Sequence, residues 1–557
     1  MRRSWPWVAP AVFGVGWFLL LGGGRTLNPT EPWWMIEGDW FSAFFAWCFY
    51  RNAPLGIPLG AIPDLQYPFG TSTGMNDALP LFSGLLRPFS FLMPEAFQLF
   101  GVWMALGHAA MGVVGSRLVA RVSQDPWLQM LGGLMLVLNP IVTSRYGHPS
   151  FLGLWTVFGL IGLVLSAERS SWRDQWIGWA LLGVACGTHP YLAAMAMPLA
   201  FAAGLRVVGD RSFGGPAQWL LAAVAPIGVA LFSLWFAGYL SSLGKVQGGA
   251  EGFGEFSADL IALVNPSTWS RFIPPLRVGP RQLEGFAYLG LGGMVLALIA
   301  AWRGVTLLRR PRAVLPWLPL VALVAALAVF ALSDRVTFLG QVLIDLRGLY
   351  APLGSLTSMF RSSGRFLFPL HALLVVGGIL TVARVSLQQR WLGRAVLGVV
   401  VVLQFADLDF RTSSLGKPGP AFRPLESSAW RTMGADYRHL AIIPAQLQWF
   451  SPFDGDYVAR LSWEAYRQKM TINSGHTGRP PLGFEWDHHF APSELDAATV
   501  YVVYFREWLD DFLRAGWTCG VAEGLVACVD PSRETPLKAA LEDGARRRQP
   551  ALLRPMH

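Results

Sequence analysis

VLPWLPLVALVAALAVFALS, residues 314–333, holds no charged side chain, and four arginines, Arg303, Arg309, Arg310 and Arg312, crowd the stretch before it. About twenty apolar residues in a row form a helix long enough to cross the roughly 30 Å hydrocarbon core of a bilayer. Working outward, comparable apolar segments fall near 6–23, 97–119, 127–142, 149–167, 175–189, 191–208, 216–240, 286–302, 365–384 and 393–408. The segments at 127–142 and 175–189 are short. The pattern predicts an all-α polytopic membrane protein with about eleven transmembrane helices and a small C-terminal α/β soluble domain.

Composition agrees. Of 557 residues 53% are hydrophobic and only 14% charged, and the mean hydropathy is +0.41. A soluble chain carries about 25% charged residues. The net charge of +9 would suit nucleic acid, but the arginines sit in short loops between apolar runs, so nucleic acid is not an expected partner. The opening MRRSWPWVAPAVFGVGWFLLLGGG has the basic start of a signal peptide. Its long, Trp-rich apolar stretch lacks a small-residue cleavage site and reads as a retained first span.

Arginine placement sets an orientation. With the N-terminus cytoplasmic, inner loops hold Arg2 and Arg3, Arg117 and Arg121, Arg169 and Arg173, Arg206 and Arg211, the 303–312 group, and Arg384, Arg390 and Arg394. The short outer turns at 143–148 and 188–190 hold only Arg145. The expected division is a transmembrane domain at 1–408, a periplasmic or extracellular α/β domain at 409–540, and a disordered tail at 541–557. The first domain would carry a first periplasmic loop at 24–95 and further outer loops at 241–285 and 334–364. Eleven spans with an outer soluble domain suit a bacterial inner membrane. DWFSAFFAWCFY (39–50) reads as an amphipathic helix at the membrane surface, in contact with membrane lipids. In the tail HLAIIPA and TVYVVYF read as buried strands, and SELDAA and REWLDDFLRAG as helical pieces. Cys48 and Cys186 read as unpaired. Cys519 and Cys528 flank GVAEGLVA, a candidate hairpin, and could pair in an oxidising compartment or stay free.

Acids are sparse, yet Glu37, Asp39, Asp64 and Asp77 gather in the first outer loop. A carboxylate just past a span could take a proton from a sugar hydroxyl. Asp39 and Asp77 could equally be N-caps of the helices that follow them. YPFGTSTG (67–74) could be a turn whose amides hold an anion. SRYGHPSF and GTHPYL place Arg145, His148, His189 and Tyr191 at outer span ends, where histidine faces a cavity or caps a helix. No HxxxH or HExxH spacing supports a metal, so no metal ligand is assigned and a divalent cation is not indicated. In MFRSSGRFLFPLH a helical conformation would bring Arg361 and Arg365 onto one side. Their planar forks suit a lipid phosphate or bulk head groups. Glu284 could hold a substrate hydroxyl or an arginine.

Together EGDW (37–40), YPFGTSTGMND (67–77), RYGH (145–148), THPYL (188–192), EGFAYLG (284–290) and MFRSSGRF (359–366) resemble the GT-C superfamily of membrane glycosyltransferases. The likeness is greatest to bacterial members sharing GDW…YP.G…D..P and RSSGRF. It covers roughly 30–410 and reaches the tail through INSGHTGR (472–479). The resemblance implies a helical core, periplasmic juxtamembrane helices, an outward-facing active site and a polyprenyl-phosphate-linked sugar donor. It places the catalytic acid at Asp39. Relatives often carry two adjacent acids there, whereas Gly38 separates Glu37 from Asp39, leaving the base open between them.

The expected function is transfer of a sugar from a polyprenyl-phosphate donor to a cell-envelope glycan, lipid or protein acceptor. Asp39, Glu37 and Asp77 are the catalytic candidates. Arg145, His148, His189, Tyr191, Glu284, Arg361 and Arg365 are the substrate-binding ones. No cofactor is expected, because a lipid phosphate is already a competent leaving group. Two other readings are a transporter or flippase of lipid-linked saccharides, which needs ionisable residues along several spans, and a non-catalytic envelope scaffold, which would depend on its tail and not on Asp39.

Overall fold

Every one of the eleven apolar stretches carries a helix, and helix length divides them. Among the described residues seven are long and apolar enough to cross a bilayer: Phe100–Ala120, Pro126–Ser144, Pro149–Ser166, Pro216–Phe236, Gly290–Leu308, Leu315–Leu332 and Ser363–Val385. Trp5–Leu20 and Pro190–Leu205 are apolar but shorter. Trp172–Thr188 includes Arg173 and Asp174, and Arg390–Asp407 includes Arg390, Arg394 and Asp407. The chain is thus mostly helical, with seven membrane-length apolar helices among the described residues. The segment read as short at 127–142 runs from Pro126 to Ser144 with a break at Asn139, whose side chain accepts from Ile141 N at 3.0 Å and restarts the helix at Pro140.

This computed structural model describes residues 4–36, 38–57, 59–166, 171–208, 210–211, 213–240, 245, 252–309, 311–416, 422–445, 455–475, 479–485, 488 and 490–546. It divides into two units of interleaved chain. The first comprises Met1–Pro29, Leu99–Leu234 and Gly248–Pro418, and the second Thr30–Gln98, Trp235–Gln247 and Gly419–His557. The first unit's chain runs on to Pro418, ten residues past the expected boundary at 408. The expected grouping of the first loop with the spans does not hold, since residues 30–98 fold with the C-terminal domain.

In the first unit, helices Trp5–Leu20, Phe100–Ala120 and Pro126–Val137 pack backbone to backbone. A Cβ on Gly112 would lie 2.5 Å from Pro10 O, and one on Gly133 2.6 Å from Gly112 O. Small residues permit such approach where no hydrophobic drive separates helix from lipid. Polar side chains buried between helices are tied to one another: His371 Nδ1 lies 2.9 Å from Ala287 O and its Nε2 2.7 Å from the Asn139 amide. Carbonyls accept only, so the proton sits on Nδ1 and Nε2 accepts.

The arginines at one end of this unit have a local reason to be there. The last carbonyls of helix Trp155–Ser166 have no intrahelical partner. Arg206 donates to Val164 O, Arg384 to Leu165 O at 2.6 Å, and Arg121 to Ser166 Oγ at 2.7 Å. Arg121 also pairs with Asp174, and Arg394 with Asp125, each with two N–H donors. Loops assigned to one membrane face therefore do meet at one end. The 18 residues from Pro149 to Ser166 separate it from the other end, where the candidate site lies.

The second unit holds a five-stranded mixed sheet in the order Thr471–Ile472, His439–Ile443, Thr499–Val503, Leu525–Val529, Thr518–Ala522. The first three are parallel and the last two antiparallel. Residues 64–67 of the first loop extend its edge: Ile472 N donates to Asp64 O at 2.8 Å and Tyr67 N to Ile472 O at 2.9 Å. The final hairpin turns through Glu523 and Gly524, both at positive φ, as a two-residue hairpin turn requires. It sets Cys519 opposite Cys528, and the two are disulfide-bonded. SELDAA is not helical beyond a single turn at Pro492–Glu494. Residues 541–546 of the expected disordered tail are helical, because helix Pro536–Arg546 packs on strand Thr518–Ala522. Residues 547–557 lie outside the described residues.

The stretch read as an amphipathic surface helix is helix Gly38–Asn52, and Phe41 to Tyr50 are all buried. Its polar positions misled: Ser42 donates to Asn76 Oδ1 at 3.2 Å, and Asn52 to Tyr466 O at 2.9 Å. Phe44 stacks with Trp463, and Trp33 stacks with Phe422 at 4.0 Å.

Two outcomes follow. Gly112→Val or Gly133→Val should cost about 1–3 kcal/mol by overpacking and lower the detergent unfolding midpoint. Gly16→Val, with nothing within 4 Å of its added Cβ, should leave the midpoint unchanged. A fragment of residues 419–557 expressed alone should aggregate, because Trp463 and Tyr466 lose their partners. Co-expressing residues 30–98 should rescue it, and a soluble monomeric fragment would contradict this packing.

Candidate functional site

Two glycines bring the site together. A Cβ on Gly364 would meet Gly285 Cα at 2.6 Å, and one on Gly285 would meet Ala258 Cα at 2.7 Å. The turn Gln282–Gly285 and the turn Ser363–Leu367 can therefore touch main chain to main chain, and Gly364 N donates to Phe256 O at 2.9 Å. Their neighbours Glu284 and Arg365 consequently meet. Arg365 Nη2 donates to Glu284 Oε2 at 2.7 Å and its Nε to the same oxygen at 3.0 Å.

Arg145, from the turn after Pro140–Ser144, arrives at the same carboxylate. Its Nη1 lies 3.1 Å from Glu284 Oε2, and its Nη2 donates to Glu284 O at 2.7 Å. The side chains of Arg145 and Arg365 are 9% and 8% exposed, that of Glu284 27%. Burial alone would raise the Glu284 carboxyl, but the charges of Arg365 and Arg145 overcome it and hold the group well below the usual carboxylate range. Burial lowers Arg145 to about 10, against the opposing pull of Glu284, so it stays protonated at neutral pH. One anion between two cations leaves a net positive charge. Arg145 Nε is buried without a partner, as are the hydroxyls of Ser150 and Ser363 in the adjoining turns.

Aromatic rings wall the cluster. Arg365 lies over Phe151 and Tyr191 at 4.9 and 5.1 Å, and Arg145 over Phe368 at 5.5 Å. His148 Nε2 lies 3.0 Å from Arg365 Nη2. A guanidinium only donates, so this nitrogen accepts. His189 caps helix Pro190–Leu205 through Nδ1, which accepts from Tyr191 N at 3.1 Å. Burial, then the charges of Arg365 and His148, push its pKa well down and keep it neutral. Tyr191 Oη in turn accepts from Ser362 N at 2.9 Å.

Arg361 is where the helical spacing misled. Residues 361–362 are not helical and Arg365 sits in a 3-10 turn, so the two guanidinium groups are not stacked a turn apart. Arg361 lies over the Phe256 ring at 5.5 Å, the ring also covered by Arg281. Arg281 is paired with Glu255 at 2.5 Å, whereas Arg361 has no ion pair among the described residues. Phe151, Phe256, Phe368 and Arg281 were not among the sequence candidates. The glycines of EGF and SSGR were the signal available for them.

The candidate acids lie in the second unit. Asp39 is exposed in the first turn of Gly38–Asn52, inside the helix and not at its cap. Asp77 is not an N-cap either: Leu79 precedes helix Pro80–Leu86, and Asp77 follows the turn Thr73–Asn76 at φ 55°. Glu37 lies outside the described residues. The YPFG turn does not offer free amides to an anion, since Phe69 N and Gly70 N both donate to Gln66 O. Among the described residues no three His, Cys, Asp or Glu side chains gather as metal ligands.

None of the curated proteins matches this chain. A family model described as a domain of unknown function, DUF6311, matches residues 11–409, and its companion, the DUF6311 C-terminal domain, matches 429–530. The first match ends just past helix Arg390–Asp407, and the second begins before strand His439–Ile443. The first covers well over half of the sequence, and the chain therefore belongs to the DUF6311 family.

Proposed function

We propose that this protein is a membrane glycosyltransferase moving a sugar from a polyprenyl-phosphate donor to a cell-envelope glycan, lipid or protein acceptor. In this reading all eleven helical stretches cross a bacterial inner membrane, and the candidate site faces outward. The observation that carries the reading is the pair of buried guanidinium groups sharing Glu284, with an uncommitted Arg361 and an orphan Arg145 N–H beside them. Such a group has surplus positive charge and planar donors for a phosphate. In a protein rich in lipid-length apolar helices, the natural phosphate is that of a lipid. The GT-C resemblance in RYGH, EGFAYLG and RSSGRF supports the same assignment.

The chemistry is a single displacement. The acceptor oxygen attacks the anomeric carbon, the bond from that carbon to the phosphate oxygen breaks, and the configuration inverts. The acceptor proton goes to a carboxylate base, the role the GT-C resemblance gives to Asp39, or to Glu37 in its place, with Asp77 orienting the loop. The polyprenyl phosphate leaves with the electron pair. Arg361 and Arg365 stabilise the charge that develops on it. The disulfide of the second unit supports an oxidising compartment for that unit.

Arg365→Lys should lower transfer at least tenfold, about 1.4 kcal/mol, while protein level stays normal, because an ammonium cannot reproduce the planar fork. Asp39→Asn should abolish transfer, measured as envelope glycan composition; unchanged glycans at normal protein level would remove Asp39 from the reaction. Glu284→Gln tests the scaffold of the site. Removing one partner of a buried pair costs about 3–5 kcal/mol, read as a lower unfolding midpoint at neutral pH. Because the folded Glu284 carboxyl is depressed, its contribution is present above the ordinary value of 4.5 and is lost as pH falls below it. Wild type should therefore lose more stability than Glu284→Gln on going from neutral pH toward pH 3.

A further inference from the structure

A cavity of about 320 Å³ opens in the second unit, where the first-loop turn at 67–69 meets residues 483–485, 488, 490 and 494. Its volume lies at the small end of small-molecule sites. Its position follows from sheet topology. Strand His439–Ile443 is followed by helix Gly455–Arg467 and the outer strand Thr471–Ile472 on one side, while Thr499–Val503 on the other side is followed by helix Arg506–Arg514. Connections leaving adjacent parallel strands in opposite directions create a crevice at the strands' carboxyl ends. Ile442, Ile443 and Asn473, which line the cavity, stand at those ends. Asn473 ties the ends of two adjacent strands together: its amide donates to Ile442 O at 2.9 Å and its oxygen accepts from Ile442 N at 2.8 Å.

The lining has two chemistries. Tyr67, Phe69, Phe484 and Phe490 supply aromatic surface, with Tyr67 and Phe69 38% and 48% exposed although each has an aromatic neighbour. Glu485 and Glu494 supply carboxylates, at 3.7 and 3.4 Å from the two nitrogens of His488. Polar capacity is also left over beside the lining. Gln66, next to Tyr67, and Ser474, next to Asn473, are buried with every side-chain polar atom unpartnered. Two carboxylates disfavour a phosphate or other anion. Flat rings beside solvated carboxylates and an imidazole match a molecule with apolar C–H faces and a rim of hydroxyl donors.

We propose that this cavity is a binding site for a neutral saccharide, with Tyr67 and Phe69 as the stacking platform and Glu485 and Glu494 as hydroxyl acceptors. The site is separate from the arginine cluster and does not rest on the transfer reading: a chain that binds sugar here without catalysing transfer would satisfy it.

The test uses the full-length protein in detergent, titrated with maltose, cellobiose, chitobiose and mannobiose and followed by calorimetry. Saturable binding of at least one disaccharide is expected, weakened at least tenfold by Phe69→Ala and by Glu485→Gln. Both positions are half-exposed or more, so the fold should survive, and an unchanged unfolding midpoint verifies that. Tetramethylammonium is the competing probe. If no disaccharide binds, if neither variant weakens binding, or if tetramethylammonium binds in the cavity more tightly than every disaccharide, the saccharide assignment is overturned. Arg365→Lys should bind the disaccharide normally, so failure of the transfer reading would leave this result untouched.

Discussion

Glu284 accepts from two buried arginines that come from opposite ends of the first unit's sequence, and the site is built around that sharing. Arg145 follows the broken helix ending at Ser144, and Arg365 precedes the long helix ending at Val385. Neither guanidinium could stay charged and nine-tenths buried without an anion, and one carboxylate between two cations leaves charge to spare. The glycine contact between residues 285 and 364 is a condition of the arrangement, because a side chain at 364 would push the two turns apart and one at 285 would push its turn off Ala258. The aromatic rings then exclude water and strengthen each remaining charge.

The helices were legible because lipid imposes a length and an apolar composition that a sequence displays directly. The seven membrane-length helices, the strands at 439–443 and 499–503 and the terminal hairpin all fall where pattern put them. The order of the arginine loops was legible for a further reason. They cap carbonyls at one helix end, a local demand that coincides with the topology rule. The first loop was misread because its sparse polar residues looked solvent-facing. Ser42 and Asn52 are turned inward instead, onto groups remote in sequence, and periodicity has no access to such partners.

Residue types at the site were legible, and their relationships less so. Arg145, His148, Glu284 and Arg365 were singled out one by one, yet their shared carboxylate depends on turns that no spacing rule describes. The helical spacing of Arg361 and Arg365 failed because Gly364 serves a main-chain contact, and the segment bends into a 3-10 turn to make it. His189 combines two roles, capping its helix and walling the cluster, because a helix end and a cavity rim occupy the same place.

The second unit is assembled from the two ends of a long polypeptide. Helix Gly38–Asn52 and the edge segment at 64–67 emerge from the ribosome some 400 residues before helix Gly455–Arg467 and strand Thr471–Ile472, which cover them. At about 5–20 residues per second, that is a wait on the order of twenty to eighty seconds. For that interval Phe44 and Phe49 lack Trp463 and Tyr466, and the newborn chain must shelter them against lipid, a chaperone or its own emerging spans. Biogenesis of this protein therefore includes a vulnerable period whose length is set by the gap between two halves of one core.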